Sequence, residues 1–457
     1  MVGQIRPTKG VQTLLGDPKK AILKLSAPMM LGMLMQALYN VADGFWVAGL
    51  GTNELAAIGL FFPFFIILIS LGTGIGIGGG SAISRRIGKK NKKEADNSAV
   101  QTIIIGFIIT ALITFPIYPF LENIFIAIGE SKEVGALASD YAKIIFCGSI
   151  LIIFFQIFNA ILRGEGDANR SMYAIVIGAL LNIALDPLFI YYFDMGVIGA
   201  AWATVISYFV STVIITYWLF VKKNTFIELN FKKYKFDKKI NLEILEVGIP
   251  SALAQISMSL TMLALNIIIA KVGGTDGIAI FTSGWRIVML GTIPLVGMAT
   301  GVTAVTGAAF GAQNKNKLKT AFFYAIKIGF ILELFVGLSI FIFANQIAYL
   351  FTYSEGSEKI YDDLVTFLKI TAFLYPTIPF GMLTSSMFRG VGKGRRSLTV
   401  TIFRTIILQI PVAYLFAIVL NLGLEGAWYG ILTGNFFAVI FTFLWGKHTV
   451  ETIIPNE

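Results

Sequence analysis

Apolar residues run in twelve blocks along this 457-residue chain, separated by short polar turns. The blocks fall at roughly 21–47, 55–84, 98–120, 137–162, 171–193, 198–221, 243–270, 277–310, 319–344, 361–388, 398–420 and 425–446. Crossing the hydrocarbon core of a bilayer takes about twenty helical residues, and every block is long enough. A backbone in lipid must satisfy its own hydrogen bonds, so each block is predicted to be helical. The expected architecture is an all-α membrane protein with twelve transmembrane helices. Residues 1–20 are polar, and no small-residue cleavage site follows a short apolar core. The first block is therefore read as a permanent span and not a cleaved leader.

The pattern repeats with a period of roughly 225 residues. Gly88-Lys89-Lys90-Asn91-Lys92 after span 2 returns as Gly311-Ala312-Gln313-Asn314-Lys315 after span 8. Arg163-Gly164-Glu165-Gly166-Asp167 after span 4 returns as Arg389-Gly390-Val391-Gly392-Lys393 after span 10. Gly196-Val197-Ile198-Gly199-Ala200 before span 6 returns as Gly423-Leu424-Glu425-Gly426-Ala427 before span 12. Six spans per repeat give both repeats one orientation, related by an axis along the membrane normal. The reading is two pseudo-symmetric six-helix bundles around a central cleft. The N-terminal lobe is 1–221, a basic cytoplasmic connector is 222–241, and the C-terminal lobe is 242–457. Such a pair suits alternating access, in which one bundle rocks against the other.

Composition agrees with a membrane protein. The chain is 56% hydrophobic and only 14% charged, with a mean hydropathy of +0.78, against about 25% charged in soluble domains. A net charge of +10 raises the question of nucleic acid, but the distribution points to topology instead. Arg6, Arg85, Arg86, Lys89, Lys222, Lys223, Arg389 and Lys393 are among the basic residues of one set of turns. The alternate turns hold only Lys132, Lys271 and Lys359, with Glu54, Glu122, Glu130 and Glu355 among their acids. This positive-inside pattern predicts a multi-pass protein of the cell membrane with both termini cytoplasmic. Cys147 and His448 are the only cysteine and histidine. Intrachain disulfides and a Cys/His zinc site are excluded. The glycine run 72–80 lacks the strand and the Gly-Lys-Ser/Thr of a phosphate loop, and reads as close helix packing.

Two aspartates interrupt the apolar blocks: Asp43 in span 1 and Asp186 in span 5. A charge at membrane depth costs about 2.5–3.5 kcal/mol on insertion scales, so each is a functional-site candidate. Tyr39 lies four residues before Asp43, and Asn182 four before Asp186, so each pair shares a helix face. If the two faces meet, two carboxylates, an amide and a phenol share one pocket. The carboxylates then repel and titrate as a unit, and a proton or a sodium ion relieves the repulsion. Pro187 frees a backbone carbonyl beside Asp186, and Pro28 loosens span 1 in the same way, so both are read as helix-bending residues. The acidic pair belongs to the first repeat alone: Asp43 aligns with Asn266, Asp186 with Ala413 and Asn182 with Gln409. Arg286, Lys327, Glu333, Lys369 and Arg404 are the charged residues away from the ends of second-half spans, and Arg286 and Arg404 are read as snorkelling to the interface.

These features together resemble the multidrug and toxic compound extrusion (MATE) family, over nearly the whole chain. The resemblance rests on twelve spans in a 6+6 repeat and on the Arg-Gly-x-Gly-Asp/Lys turns. It also rests on Pro28-x7-Gln36-x2-Tyr39-x3-Asp43 and on Asn182-x3-Asp186-Pro187. It is greatest for the DinF-like branch; the NorM-like branch carries mid-membrane acids in the second half, and spans 7 and 10 here hold none. The resemblance implies antiport of a lipophilic, usually cationic compound against inward H⁺ or Na⁺. It implies a cation site of Asp43, Asn182, Asp186 and Thr204, whose oxygens would be the metal ligands if the ion is sodium. Gln36, Tyr39, Tyr141 and Asn159 would border that site and the substrate.

The expected partners are an amphipathic small molecule and the lipid bilayer, with no nucleic acid, no obligate protein partner and no cofactor beyond the coupling ion. The alternative is a flippase for a lipid-linked oligosaccharide or precursor. Its cleft needs several basic residues at membrane depth to hold a pyrophosphate, and the spans offer only Arg286 and Arg404. An enzyme is not expected: no paired His/Glu metal motif and no serine dyad is present.

Overall fold

The computed structural model describes residues 8–129, 131–222, 224–353 and 358–455. Arg6, Glu130, Lys223 and Glu355, cited above for the charge pattern, lie outside them. No strand occurs among the described residues. The first half comprises α1 (Lys9–Leu15), α2 (Pro18–Ala48), α3 (Thr52–Gly88), α4 (Lys92–Ile117), α5 (Leu121–Ile128), α6 (Lys132–Cys147), α7 (Ser149–Gly164), α8 (Ala168–Pro187) and α9 (Gly196–Thr216). The second half begins with α10 (Lys238–Gly291), α11 (Ile293–Gly311), α12 (Lys315–Ile342) and α13 (Ala344–Thr352). It continues with α14 (Tyr361–Thr371), α15 (Ile378–Gly390), α16 (Gly394–Ile402), α17 (Ile410–Tyr414) and α18 (Gly423–Thr452).

Eleven of these helical stretches are long and apolar enough to cross a membrane, and the pair α6 and α7, bent by 49° between them, makes a twelfth. The bend sits at Gly148, where a side chain would strike Val205 of α9. Spans 7 and 8 differ from their expected bounds. Helix α10 runs through both, with a break at Gly274 (φ 57°), and span 8 is completed by α11. The short helix α1 is an addition to the sequence reading. Thr8 caps it, Gly10 packs on the Gly166 backbone, and Lys317 Nζ donates to the Leu15 carbonyl at 2.6 Å.

The repeat extends to the backbone. The described residues with positive φ are four non-glycines and six glycines, and all pair across the two halves. Gly51 matches Gly274, Lys90 matches Gln313, Gly166 matches Gly392, Asp194 matches Asn421 and Gly196 matches Gly423, at offsets of 223, 223, 226, 227 and 227 residues. Positive φ is uncommon outside glycine, so Lys90 with Gln313 and Asp194 with Asn421 mark one turn built twice.

The halves meet at the end that carries the basic turns. Small residues let backbones touch there. Side chains on Gly74 and Gly78 of α3 would collide with α10 at Gly248 and Ile244, and those on Gly297 and Gly301 of α11 with α2 at Met30 and Ser26. One hydrophobic core embraces the first half and the basic-end parts of α11, α12 and α15. A separate core, around Phe281, Phe367, Tyr375 and Trp428, holds the other end of the second half.

Candidate functional site

Helix α2 presents Gln36, Tyr39 and Asp43 along one face, spaced by three and four residues. It runs uninterrupted through Pro28 and packs on α8, where Gly32 lies against Met172 and Ile175. Helix α8 brings Asn182 and Asp186, both buried, Asp186 completely. After Pro187 the chain widens into a π-helical turn, Leu188–Tyr192. That turn sends the Tyr191 hydroxyl to the Trp46 carbonyl of α2, at 2.5 Å. Helix α9 adds Thr204 and Tyr208, and α6 adds Tyr141.

These groups converge. Asn182 Nδ2 lies 3.5 Å from Thr204 Oγ1, and the Tyr141 hydroxyl lies close to Thr204. Asp43 and Asp186 lie within electrostatic reach of each other and of Tyr39 and Tyr141. A small cavity of about 30 Å³, lined by Gln36, Tyr39, Asn182, Thr204 and Tyr208, lies alongside. Space of that size holds a water or two, or a small ion. Asp43 Oδ1, Asn182 Oδ1 and both Asp186 oxygens are buried without a hydrogen-bond partner among the described residues. Four such acceptors leave a donor or a cation to be supplied from outside the chain, and oxygens of this kind fit a proton or a hard cation.

Asn159 stands apart from this group. Its amide donates to the Phe155 carbonyl at 2.9 Å and its oxygen accepts from Ser171 at 2.8 Å, tying α7 to α8. Tyr208 is a member that the sequence does not single out, although it follows Thr204 by one turn on the same face. It packs on Phe155 with ring centroids 5.2 Å apart. Glu333 of α12 is another buried carboxylate, 0% exposed, with both oxygens unpartnered among the described residues.

A larger cavity of about 380 Å³ opens between the two halves. Gln36, Phe155 and Ile175 line both cavities and form the wall between them. The expectation for the second-half arginines divides here. Arg286 is exposed on the outside of its helix, consistent with snorkelling. Arg404 instead lines the larger cavity, joined by Arg163 and Arg389.

The MatE family model matches residues 28–188 and 250–415. Among curated relatives, the chain is 30% identical over 399 residues to the multidrug export protein MepA of Staphylococcus aureus (strain NCTC 8325 / PS 47), covering 87% of this chain and 86% of that one. Among solved structures, a MATE transporter in complex with MaL6 is 50% identical with a TM-score of 0.96, covering 98% of this chain and 99% of that one. A multidrug resistance MATE family transporter in an outward-facing conformation gives the same identity, TM-score and coverage.

Proposed function

Because this chain belongs to the MatE family of membrane transporters, we propose that it exports lipophilic compounds across the cell membrane in exchange for protons or sodium ions. The observation that carries the coupling is the set of orphaned buried oxygens on Asp43, Asn182 and Asp186. A cation entering among them offsets the repulsion of two carboxylates in an apolar enclosure. Gln36 and Tyr39 of α2 sit beside that ion and, through Gln36, face the larger cavity, so ion occupancy is felt on the helix that walls the substrate space. One charge moving inward through the membrane potential supplies about 2.3 kcal/mol per 100 mV, enough to drive uphill export.

Alternating access completes the reading. Residues 1–221 and 242–457 are the rocking units and 222–241 joins them. The basic end, which packs closed here, faces the cytoplasm by the positive-inside pattern. The opposite end is then the exit.

The test is efflux of a fluorescent lipophilic dye from proteoliposomes under an imposed proton gradient and, separately, an imposed sodium gradient. Wild type is expected to move dye under at least one gradient, while Asp43→Asn and Asp186→Asn proteins that remain folded do not. Dye movement insensitive to both gradients and both substitutions would sink the coupling. Scrambling of a lipid-linked sugar in its absence would favour the flippase.

A further inference from the structure

Among the described residues three arginines line the cavity between the halves, and no carboxylate does. Among the described residues none of the three is in an ion pair. Arg163 donates to Ser171 Oγ at 3.3 Å. Arg389 donates to Ser386 Oγ at 2.8 Å, while its Nε is buried without a partner. Arg404 enters the cavity from the helical stretch that begins at Gly394, about 15 Å along the axis from that start, and its NH1 lies beside Gly381 of α15. A guanidinium keeps its charge inside a protein, and an enclosed charge without a counter-charge is unfavourable. The Asp43 and Asp186 carboxylates do not answer it: neither lines this cavity.

The cavity has two further properties. Its remaining lining mixes amides and hydroxyls (Gln156, Gln255, Ser385) with flexible apolar side chains (Met33, Met258, Met382). Its volume of about 380 Å³ lies within the range of small-molecule sites, about 300–1,000 Å³. Arg163 and Arg389 are repeat equivalents and close on the cavity from opposite halves. The offset of 226 that relates them maps Arg404 onto Gly178, so the third charge is peculiar to the second half.

We propose that this cavity binds an amphiphile with an oxyanion headgroup of the phosphate class, held by Arg163, Arg389 and Arg404, with its tail along the methionine-lined wall. The planar forks of arginine match the oxygens of a phosphate. The cavity then selects against lipophilic cations and for anionic or zwitterionic amphiphiles. The assignment does not rest on ion-driven export: it concerns a different set of side chains, of opposite sign.

The full chain, purified in a neutral detergent, can be titrated by thermophoresis with dodecyl phosphate and with dodecyltrimethylammonium, which share a tail and differ in charge. Dodecyl phosphate is expected to bind at least about tenfold more tightly. Arg389→Gln and Arg404→Gln are each expected to weaken it about tenfold, as befits loss of a charge-assisted contact, and Arg404→Lys less. Competition by short-chain phosphatidic acid identifies a lipid headgroup as the natural source. Binding of dodecyl phosphate without such competition identifies a soluble amphiphile. Equal binding of the two dodecyl compounds overturns the proposal. So does unchanged dodecyl phosphate binding in Arg389→Gln and Arg404→Gln proteins whose melting and gel filtration match wild type. A failure of gradient-driven dye efflux leaves all of these outcomes readable.

Discussion

The Glu243 carboxylate of α10 lies 3.0 Å from the Arg86 guanidinium of α3, and 3.5 Å from that of Arg85. This contact crosses from one half of the chain to the other. Around it, Arg85 donates to the Gly390 carbonyl at 3.3 Å, and Ser81 Oγ to the Arg389 carbonyl at 2.5 Å. The arginines are almost wholly buried while Glu243 is partly open to solvent. Glu243→Gln is therefore expected to weaken closure of the basic end by about 1–3 kcal/mol. In a Cys147→Ala background, a cysteine placed at Thr303, which lines the central cavity, reports the opening. Maleimide labelling from the basic side should accelerate about tenfold for each 1.4 kcal/mol. An unchanged rate would mean that the ion pair is not what holds this end shut.

Gly88 and Gly311, repeat equivalents, meet reciprocally at the same end. A side chain on Gly88 would strike the Ala308 carbonyl, and one on Gly311 the Arg85 carbonyl. Backbone cannot yield as a side-chain tip can, so Gly88→Val and Gly311→Val are each expected to pry α3 from α11. The magnitude follows from overpacking, about 1–3 kcal/mol. Both variants should label faster at the Thr303 cysteine. A variant whose labelling stays at the parent rate, with its melting temperature unchanged, would show that the helices close without this contact.

The sequence and the structure agree where a single element decides the matter. The apolar blocks mark the spans because each helix must carry its own hydrogen bonds, and the duplicated turns survive down to the positive φ of Lys90 and Gln313. Helix α1 was not legible because seven residues are too few for a periodic signal. The bend at Gly148 arises from a glycine inside an apolar run, where glycine is ordinary, whereas the break at Gly274 falls in the turn expected between blocks 243–270 and 277–310. The approach of Asp43 to Asp186 could be anticipated from two helix faces. That Tyr208 and Thr204 share the space depends on how α9 packs, which no spacing encodes. Arg163 and Arg389 look like ordinary basic turn residues in one dimension. Only the folding of α7 and α15 toward each other turns them into the walls of one cavity with Arg404.

Glu165, in the turn after α7, gives the protein a pH dependence with a definite sign. It is buried, and its Oε2 accepts from the Ile227 amide of the connector at 2.8 Å. Burial pushes its carboxyl up to about 8, against the smaller opposing effect of that hydrogen bond. A carboxyl whose folded-state value lies above its ordinary value of 4.5 favours the docked state fully below that ordinary value. The contribution is lost as pH rises toward and through about 8, at about 1.4 kcal/mol per unit. The connector around Ile227 is thus expected to undock on alkalinisation. Limited proteolysis there should be faster at alkaline than at acid pH, and Glu165→Gln should remove that difference. Proteolysis that rises equally in wild type and variant would assign the effect elsewhere.

Asp186 separates stability from function more sharply than any other residue. Both of its oxygens are buried without a hydrogen-bond partner among the described residues, so the side chain contributes nothing to the fold that an amide of the same shape withholds. Removing an unpartnered buried charge is neutral or stabilising, as when buried ionic groups are replaced by neutral ones of similar volume. Asp186→Asn is therefore expected to fold with an undiminished melting temperature. Under the proposed coupling, the same change takes away half of the carboxylate charge available to an entering cation. Gradient-driven efflux should fall to the protein-free background in that variant, whereas Thr204→Ala, which removes one hydroxyl 3.5 Å from the Asn182 amide, should reduce it only partly. Melting and efflux measured on one preparation decide the matter. A variant that loses stability along with transport would make Asp186 a structural group, and one that keeps both would remove it from the ion site.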